Sequence, residues 1–366
     1  AIYNGKNGTT LYAVWGISNK INVMIESFDG TSIGDERENI KEVYFINDTQ
    51  KNINARYNAA TIKDDLTYDN QGKVLGWIET DENDNQILYV ASEGTTYFSE
   101  SASGLFENFS AATIMEFNNV DTSNVIIMNA MFIYCSSLLS LDLSGWDVSA
   151  VEYIEEMFFE CSSLTSLNLS GWKFSELYGA MDAFYGCSFE TFIMRDAVLA
   201  FDFVSWFGTA SDDAFQHGTS ALKYADFSNA KIIDYEEERM IVDLIGSLNQ
   251  FSYEVDGVIW NLSGWDVSGV TNMAYYFDFS GLRLVSLDLT GWDVSNVEDM
   301  SGMFINCAYL TTIYADSDWN TSSVTNSTDM FTGCTSLVGA VAYSDDNAND
   351  VTMANPTTGY FTLKKS

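Results

Sequence analysis

The stretch MFIYCSSLLSLDLSGWDVSAVEYI, residues 131–154, decides how this chain folds because its pattern returns along the sequence. Close copies are MFFECSSLTSLNLSGWKFSEL from residue 157, NLSGWDVSGV from residue 261 and SLDLTGWDVSNV from residue 286. A tryptophan marks each copy, and successive tryptophans lie 26 residues apart (146 to 172) or 27 apart (265, 292 and 319). Self-similarity at such a period predicts a stack of repeated units.

Each copy contains a Leu-x-Leu segment, such as Leu141 and Leu143, which we interpret as a short strand with the leucines pointing inwards. Alternation then turns the intervening side chains outwards, so that stacked copies line a parallel sheet with small polar and acidic groups. We expect ligand contacts from this outward row. The residues predicted to make them are Asp142, Asn168, Asp288 and Tyr314, with Trp206 added from the region between the copies.

The part of each copy after the tryptophan predicts a short helix. Apolar residues recur there at offsets 0, 3, 7 and 10, for example at Val125, Met128, Phe132 and Cys135. These offsets trace one face of a helix. The Ser-x-x-Glu segment at 149–152 is typical of a helix start. We therefore expect a strand, a turn at Gly-Trp-Asp and a helix in every coil.

The five cysteines all fall at one equivalent position of the copies. Neighbouring helices would hold them farther apart than a disulfide allows. They are predicted to be buried free thiols, and a metal-binding ladder is the alternative. The cysteines are Cys135, Cys161, Cys187, Cys307 and Cys334.

The charge is strongly one-sided. The formal net charge is −36, and residues 76–366 carry 42 acids against eight bases. Such a surface repels phosphate backbones and anionic lipid, so we expect no nucleic-acid partner and no membrane insertion. No apolar run is long enough to span a bilayer, and no signal-peptide pattern opens the chain, which we expect to be a fragment of a longer exported protein.

The repeats resemble the BspA-like leucine-rich-repeat surface proteins of Firmicutes and mycoplasmas, whose repeat reads approximately MFxxCSSLTSLDLSxWDTSNVTNM. The preceding stretch at 72–109, followed by VDTSNVIIM at 120–128, is also similar to the segment before the first coil in those proteins. GTTLYAVW at 8–15 resembles the last strand of a Listeria and Bacteroides type β-grasp repeat. The resemblance implies a secreted, cell-surface protein of a Gram-positive type.

The fold class predicted from these observations is α/β: a right-handed leucine-rich-repeat solenoid with a small N-terminal mixed α/β cap. The predicted organisation is the end of a β-grasp-type repeat at 1–16, a capping region at 17–110, a solenoid at 111–342 and a C-terminal tail at 343–366. An irregular insertion at about 196–258 interrupts the repeats.

The sequence favours no catalytic chemistry, and we expect that the protein is not an enzyme. Its single histidine, His217, has no nucleophile motif around it. Asp81, Asn83 and Asn85 are similar to the opening of a calcium loop, but Gln86 and Ser92 occupy positions where that loop requires Gly and Glu. No cofactor is predicted, and calcium stays open.

Three functions remain open at this point. The first, implied by the resemblance, is non-catalytic adhesion to a host protein, a glycan or another surface protein. The second is a spacer or stalk that projects other domains. The third is a glycan-processing enzyme with its site in the insertion.

Overall fold

The computed structural model describes residues 3–4, 10–11, 24–68, 73–175, 177–200, 222–233, 256–277 and 283–364. Within those ranges the chain is mainly β-strand and turn, and its one α-helix is α1 (Gln50–Ala59). Across the described residues, no helix has the length and apolar character needed to cross a bilayer. His217, Trp206 and most of the predicted insertion lie outside the described part of the chain.

The N-terminal region holds a five-stranded mixed sheet, whose strands lie in the order 63–65, 75–80, 86–92, 40–47 and 114–117. The strand at 40–47 pairs in parallel with both of its neighbours. Helix α1 packs on this sheet through Ile53, which is buried against Trp77. The strands of this region are β1 (Tyr3–Asn4), β2 (Thr10–Leu11), β3 (Ile40–Asn47), β4 (Lys63–Asp65), β5 (Leu75–Thr80), β6 (Gln86–Ser92), β7 (Thr96–Tyr97), β8 (Ile114–Phe117) and β9 (Val120–Asp121).

The repeats form an eight-stranded parallel sheet in which each strand pairs with the corresponding strand of the next coil. Leu141 lies beside Leu167, and Leu287 lies beside Ile313, so the buried residues stay in register. The strands are β10 (Ser140–Asp142), β11 (Ser166–Asn168), β12 (Thr191–Ile193), β14 (Tyr224–Asp226), β16 (Val258–Asn261), β17 (Leu284–Asp288), β18 (Thr312–Ala315) and β19 (Thr362–Leu363). Two further strands, β13 (Val198–Ala200) and β15 (Lys231–Ile233), pair in parallel with each other. Each follows a turn after its strand of the main sheet, β12 or β14.

The prediction of a helix in each coil is wrong, because residues 125–135 form a series of tight turns. Ala130 and Tyr134 have φ values of 54° and 61°, which a right-handed helix does not contain. Every second backbone N–H of this segment donates to a carbonyl of the next coil instead. Met128 N–H, for example, donates to Tyr153 O at 2.9 Å. A helix would use those amides within its own turns. The fold is therefore sheet-rich, and the offsets identified buried side chains without identifying the backbone.

Stacked phenylalanines run through the interior of the coils. The rings of Phe106, Phe132 and Phe158 follow one another at centroid distances of 5.3 Å, nearly parallel, and Phe184 continues the row at 5.6 Å. All four side chains are at most 1% exposed. Since each ring contacts the ring of the next coil, the interior is continuous along the repeats.

The prediction of buried free thiols is confirmed for all five cysteines. Each thiol donates a hydrogen bond of 2.9 to 3.2 Å to the carbonyl of a phenylalanine in the preceding coil. Burial raises the pKa of Cys135 and Cys187. These two thiols therefore stay protonated, and the hydrogen bonds of all five cysteines tie neighbouring coils together. The accepting residues are Phe106, Phe132, Phe158, Phe277 and Phe304.

The C-terminal residues close the last coil of the stack. Phe331 N–H donates to Ala348 O at 2.9 Å, which satisfies an amide of the kind that bonds to a following coil elsewhere. Asp329 N–H donates to the side chain of Asn349 at 2.5 Å. Phe361 is fully buried, and β19 adds the last strand of the sheet. This segment thus occupies the place of another repeat.

Candidate functional site

The outward side chains of β10 to β12, β14 and β16 to β18 form a surface that we call the strand face. Parallel pairing places one residue of each strand in a single row across it, so Asp142 lies beside Asn168, and Asp288 beside Tyr314. Ser140 and Asp142 are exposed, and Asn168 and Tyr314 are half-buried. Asp142 is therefore exposed as predicted, whereas Asp288 of the same row is buried.

Most Asp and Asn side chains of the row bond to their own backbone. The Oδ1 atom of Asp142 accepts from Ser144 N–H at 3.0 Å, and the Oδ1 of Asn168 accepts from Ser170 N–H at 3.1 Å. Asp226, Asn261 and Asp288 bond in the same way to the residue two positions later. Such a bond supports the turn that ends each strand. These residues thus have a structural role that does not require a ligand.

Two acids of the row are buried beneath basic side chains. Asp288 is 5% exposed and pairs with Lys364, which follows β19. Asp226 is 1% exposed; its Oδ2 accepts from Arg195 Nε at 2.6 Å and from the Tyr224 hydroxyl at 2.8 Å. Burial by itself raises the pKa of Asp226, but its hydrogen bonds from Ser228, Tyr224 and Arg195 hold it below the ordinary value. Both carboxylates therefore have partners within the chain.

Turns of the same kind recur at the other corners of the coils. The Oδ1 of Asp147 accepts from Ser149 N–H at 3.0 Å, and the Oδ1 of Asp293 accepts from Ser295 N–H at 3.0 Å. At a third corner, the Oδ1 of Asp299 accepts from Ser301 N–H at 2.8 Å. The Ser-x-x-Glu segment at 149–152 therefore belongs to a turn. Several aspartates of the repeats therefore serve these corners.

The loop with calcium-like spacing is a hairpin turn between β5 and β6. The Oδ1 of Asp81 accepts from the backbone N–H of Asn83 and of Asn85, both at 2.8 Å, and its Oδ2 accepts from the Asn85 amide. Within the described residues, no group of three or more acidic, histidine or cysteine side chains converges on a possible metal position. The hydrogen bonds of Asp81 thus explain the spacing without an ion.

A second surface, which we call the turn face, consists of the outward side chains of residues 126–134, 152–160 and 178–186. Within it, Tyr134 packs edge-on against Phe159 at 5.9 Å between ring centroids, and Phe159 stacks on Tyr185 at 4.7 Å with a 9° tilt. We call these three rings the first ring row. Tyr153 and Tyr178, 6.1 Å apart, form the second ring row.

Several of these side chains are well exposed even though they are apolar or aromatic. Tyr178 is 63% exposed, Met181 is 55% exposed and Tyr134 is 43% exposed. On the equivalent segment of a C-terminal coil, Tyr275 is likewise exposed, at 56%. A group of exposed rings that contact one another, as the two ring rows of the first coils do, is typical of a contact site.

Carboxylates of the second coil share the turn face with the ring rows. Glu156 is exposed, and Glu152, Glu155 and Glu160 are half-buried. From residue 74 to residue 172 the sequence contains fifteen acids and no lysine, arginine or histidine. The turn face of the first coils therefore combines aromatic rings with an acidic field.

The sequence reasoning did not identify the turn face, because it treated the segment after each tryptophan as a helix with one buried side. The available signal was the aromatic residues at positions outside the offsets 0, 3, 7 and 10, namely Tyr134, Tyr153, Phe159, Tyr178 and Tyr185.

The comparison with family models gives one match that covers the repeats. A model described as "Mycoplasma protein of unknown function, DUF285" matches residues 100–197 and 242–357, together more than half of the chain. Its first residue, 100, lies just before Ala102, whose N–H bonds to Ile127 O of the following coil. No curated protein matches this sequence.

Proposed function

Because this chain belongs to the family of Mycoplasma proteins of unknown function called DUF285, we propose that it is a non-catalytic adhesion module of a secreted or cell-surface bacterial protein. In this proposal the stacked coils are a right-handed solenoid of the leucine-rich-repeat type. Its partner is a host protein, a glycan or another surface protein. The repeats of 26 to 27 residues and the parallel sheet support this assignment.

The observation that carries the proposal is the exposure of the ring rows on the turn face. Tyr178 and Tyr134 expose 63% and 43% of their surface, whereas Phe184 and Phe132 of the same coils are buried. Aromatic side chains are enriched where proteins bind partners, because they bury large areas at a low entropy cost. The turn face therefore replaces the strand row as the expected contact surface.

A spacer remains the second candidate, and the strand face supports it. The Asp and Asn side chains there bond to their own turns, as Asp142 does to Ser144 N–H. A surface that serves only the fold is expected of a stalk. The two candidates differ in one respect: a spacer has no use for exposed rings.

The test is direct binding of the whole chain to an array of matrix proteins and glycans, run with and without calcium. We expect a saturable interaction that Tyr178→Ser weakens about threefold or more. Ser140→Arg, which places a bulky group on the exposed strand face, serves as the control and should leave that interaction unchanged. Silence across the array would favour the spacer, and weakening by Ser140→Arg alone would return the site to the strand row.

A further inference from the structure

The ring rows of the turn face are placed where a long ligand can contact several of them at once. Phe159 contacts both Tyr134 and Tyr185, so the first ring row extends across consecutive coils without a break. Tyr153 and Tyr178 repeat this arrangement on the same segments of the second and third coils. A ligand that follows the stack therefore meets an aromatic ring at each coil that it crosses.

The charge around the rings selects the chemistry of that ligand. Glu156 and Glu160 lie on the turn face, and in the described part of the chain no lysine or arginine pairs with either of them. Residues 74–172 contain no basic residue, and the described ion pair that reaches this segment joins Arg56 to Glu79, so the charge of Glu156 and Glu160 is left to solvent ions or to a partner. A cationic partner releases those ions and is attracted from a distance.

Among cations, the guanidinium group fits this surface best. It is planar, it stacks on aromatic rings, and it pairs with a carboxylate through two parallel hydrogen bonds. An ammonium group is a compact, strongly hydrated charge and gains less from a ring. The alternation of rings and carboxylates on the turn face offers both interactions to an arginine side chain.

We propose that the turn face of the first coils binds an arginine-rich extended segment of a partner protein, whose guanidinium groups stack on the ring rows and pair with Glu156 and Glu160. This inference rests on the proposed adhesion function and names the class of its partner. A neutral glycan, which also uses exposed rings, is the outcome that would replace it.

The test uses the whole chain and three fluorescent decapeptides, of arginine, lysine and glutamate, with binding measured by anisotropy at low and physiological salt. We expect arginine to bind at least threefold more tightly than lysine at equal charge, because only the guanidinium stacks well on rings. We expect no binding of the glutamate peptide. Equal affinity for arginine and lysine would overturn the role of the rings.

A charge variant and its matched control separate a local site from a general acidic field. The variant Glu155→Gln, Glu156→Gln, Glu160→Gln should lower the affinity for the arginine peptide about tenfold, because it removes both carboxylates that pair with guanidinium groups and the carboxylate next to them in sequence. The control Asp147→Asn, Asp266→Asn, Asp293→Asn removes the same charge at exposed corners. The affinity of this control variant for the arginine peptide should fall by less than about threefold. Equal losses for the two sets would overturn the proposal.

A ring variant completes the test. Tyr134→Ser with Tyr178→Ser should lower the affinity for the arginine peptide about tenfold and leave the lysine peptide less affected. The control is Tyr275→Ser with Tyr309→Ser, which removes two exposed tyrosines elsewhere and should change neither affinity. Unchanged melting curves identify folded variants.

The two proposals fail in different ways. If the array yields a partner that the arginine peptide does not displace and that the Gln variant still binds, adhesion stands and the cationic partner is wrong. If a neutral glycan is that partner, it takes the place of the arginine-rich segment. If neither the array nor the peptides bind, both proposals fall.

Discussion

At the scale of single residues, aspartate and asparagine solve one recurring problem of this chain. Each coil must turn at its corners, and each turn leaves a backbone N–H without a partner in the sheet. The Oδ1 of Asp142, Asp147 or Asp299 accepts that N–H from two residues later. Asparagine does the same at Asn168 and Asn261, so the hydrogen bond, and not the charge, is what the turn requires.

Asp226 offers the sharpest test of this role because it is buried and makes three kinds of contact. Asp226→Ala should lower the free energy of unfolding by about 2 kcal/mol, since the bonds from Ser228, Tyr224 and Arg195 are lost while Arg195 stays hydrated. Urea unfolding measures this change. The control Asp142→Asn keeps its bond to Ser144 and should stay within about 0.5 kcal/mol of the parent protein.

The same hydrogen bonds predict that the stability of the folded protein falls at acidic pH. Burial raises the pKa of Asp142, Asp226 and Asp299, but hydrogen bonds outweigh it and leave each pKa below the ordinary 3.8. A carboxyl whose pKa is lowered by folding stabilises the folded state at pH values above its unfolded-state pKa of about 3.8. This stabilisation is lost as the pH falls from about 3.8 through the pKa of the folded state.

Thermal unfolding of the parent and of Asp142→Asn with Asp299→Asn measures that contribution between pH 5 and pH 2. The variant should lose less stability over this range, because its amides do not titrate. Parallel curves for the two proteins would contradict the prediction. Protonation of the other acidic residues also reduces charge repulsion as the pH falls. Because this happens in both proteins, its effect on stability cancels when the two are compared.

At the scale of the element, the coil is held by contacts to its neighbours more than by contacts within itself. A ring in the middle of the phenylalanine row contacts rings on both sides, as Phe158 does with Phe132 and Phe184. The thiol of Cys161 bonds to Phe132 O at 3.1 Å in the same direction. Neighbouring coils therefore stabilise each other in a nearly one-dimensional series.

Phe158→Ala should lower the free energy of unfolding by about 3 to 5 kcal/mol, because it leaves a cavity in the ring row. Phe159→Ala is the matched control: the adjacent ring is half-buried on the turn face, and its loss should cost about 1 kcal/mol or less. Chemical unfolding of the two variants checks the difference. Similar losses would show that the interior row is not the main stabilising contact.

The C-terminal closure makes a second prediction at this scale. Phe361 packs against Trp319 at 5.1 Å and against Phe304 at 5.9 Å, so Phe361→Ala should loosen the last coil. Hydrogen exchange should then become faster at Phe331 N–H, which bonds to Ala348 O, while Phe132 N–H keeps its protection. Leu363→Ala, at an exposed side chain, is the control. Unchanged exchange at Phe331 would contradict this.

At the scale of the whole molecule, the charge of −36 is spread over a long surface with few bases to offset it. The described ion pairs, such as Arg56–Glu79 and Arg195–Asp226, involve acids that lie before residue 80 or after residue 172. The coils between these positions depend on solvent ions for neutralisation. Repulsion within this region therefore opposes folding at low ionic strength.

Raising sodium chloride from about 10 mM to about 500 mM should increase the melting temperature, because screening shortens the range of that repulsion. The variant Glu155→Gln, Glu156→Gln, Glu160→Gln should show a smaller increase, since it removes three of the charges that repel one another in this region. A melting temperature that falls or stays constant with salt would argue that the surface charges are already balanced.

The sequence by itself determined the repeats, the parallel alignment of their Leu-x-Leu strands and the burial of the cysteines. These features follow from local spacing: alternation places Leu141 inside, and the period of 26 to 27 residues brings equivalent residues together. The offsets 0, 3, 7 and 10 also identified the buried set around Phe132 correctly.

Only the tertiary structure decided what the backbone does between strands and which polar groups stay available. The amides of Met128 and Phe132 bond to the next coil, so no helix forms there, and spacing within one copy cannot report a bond to another copy. The burial of Asp288 depends on Lys364, which is 76 residues away in sequence. The turn face likewise arises only by stacking, because its ring rows join side chains from successive coils.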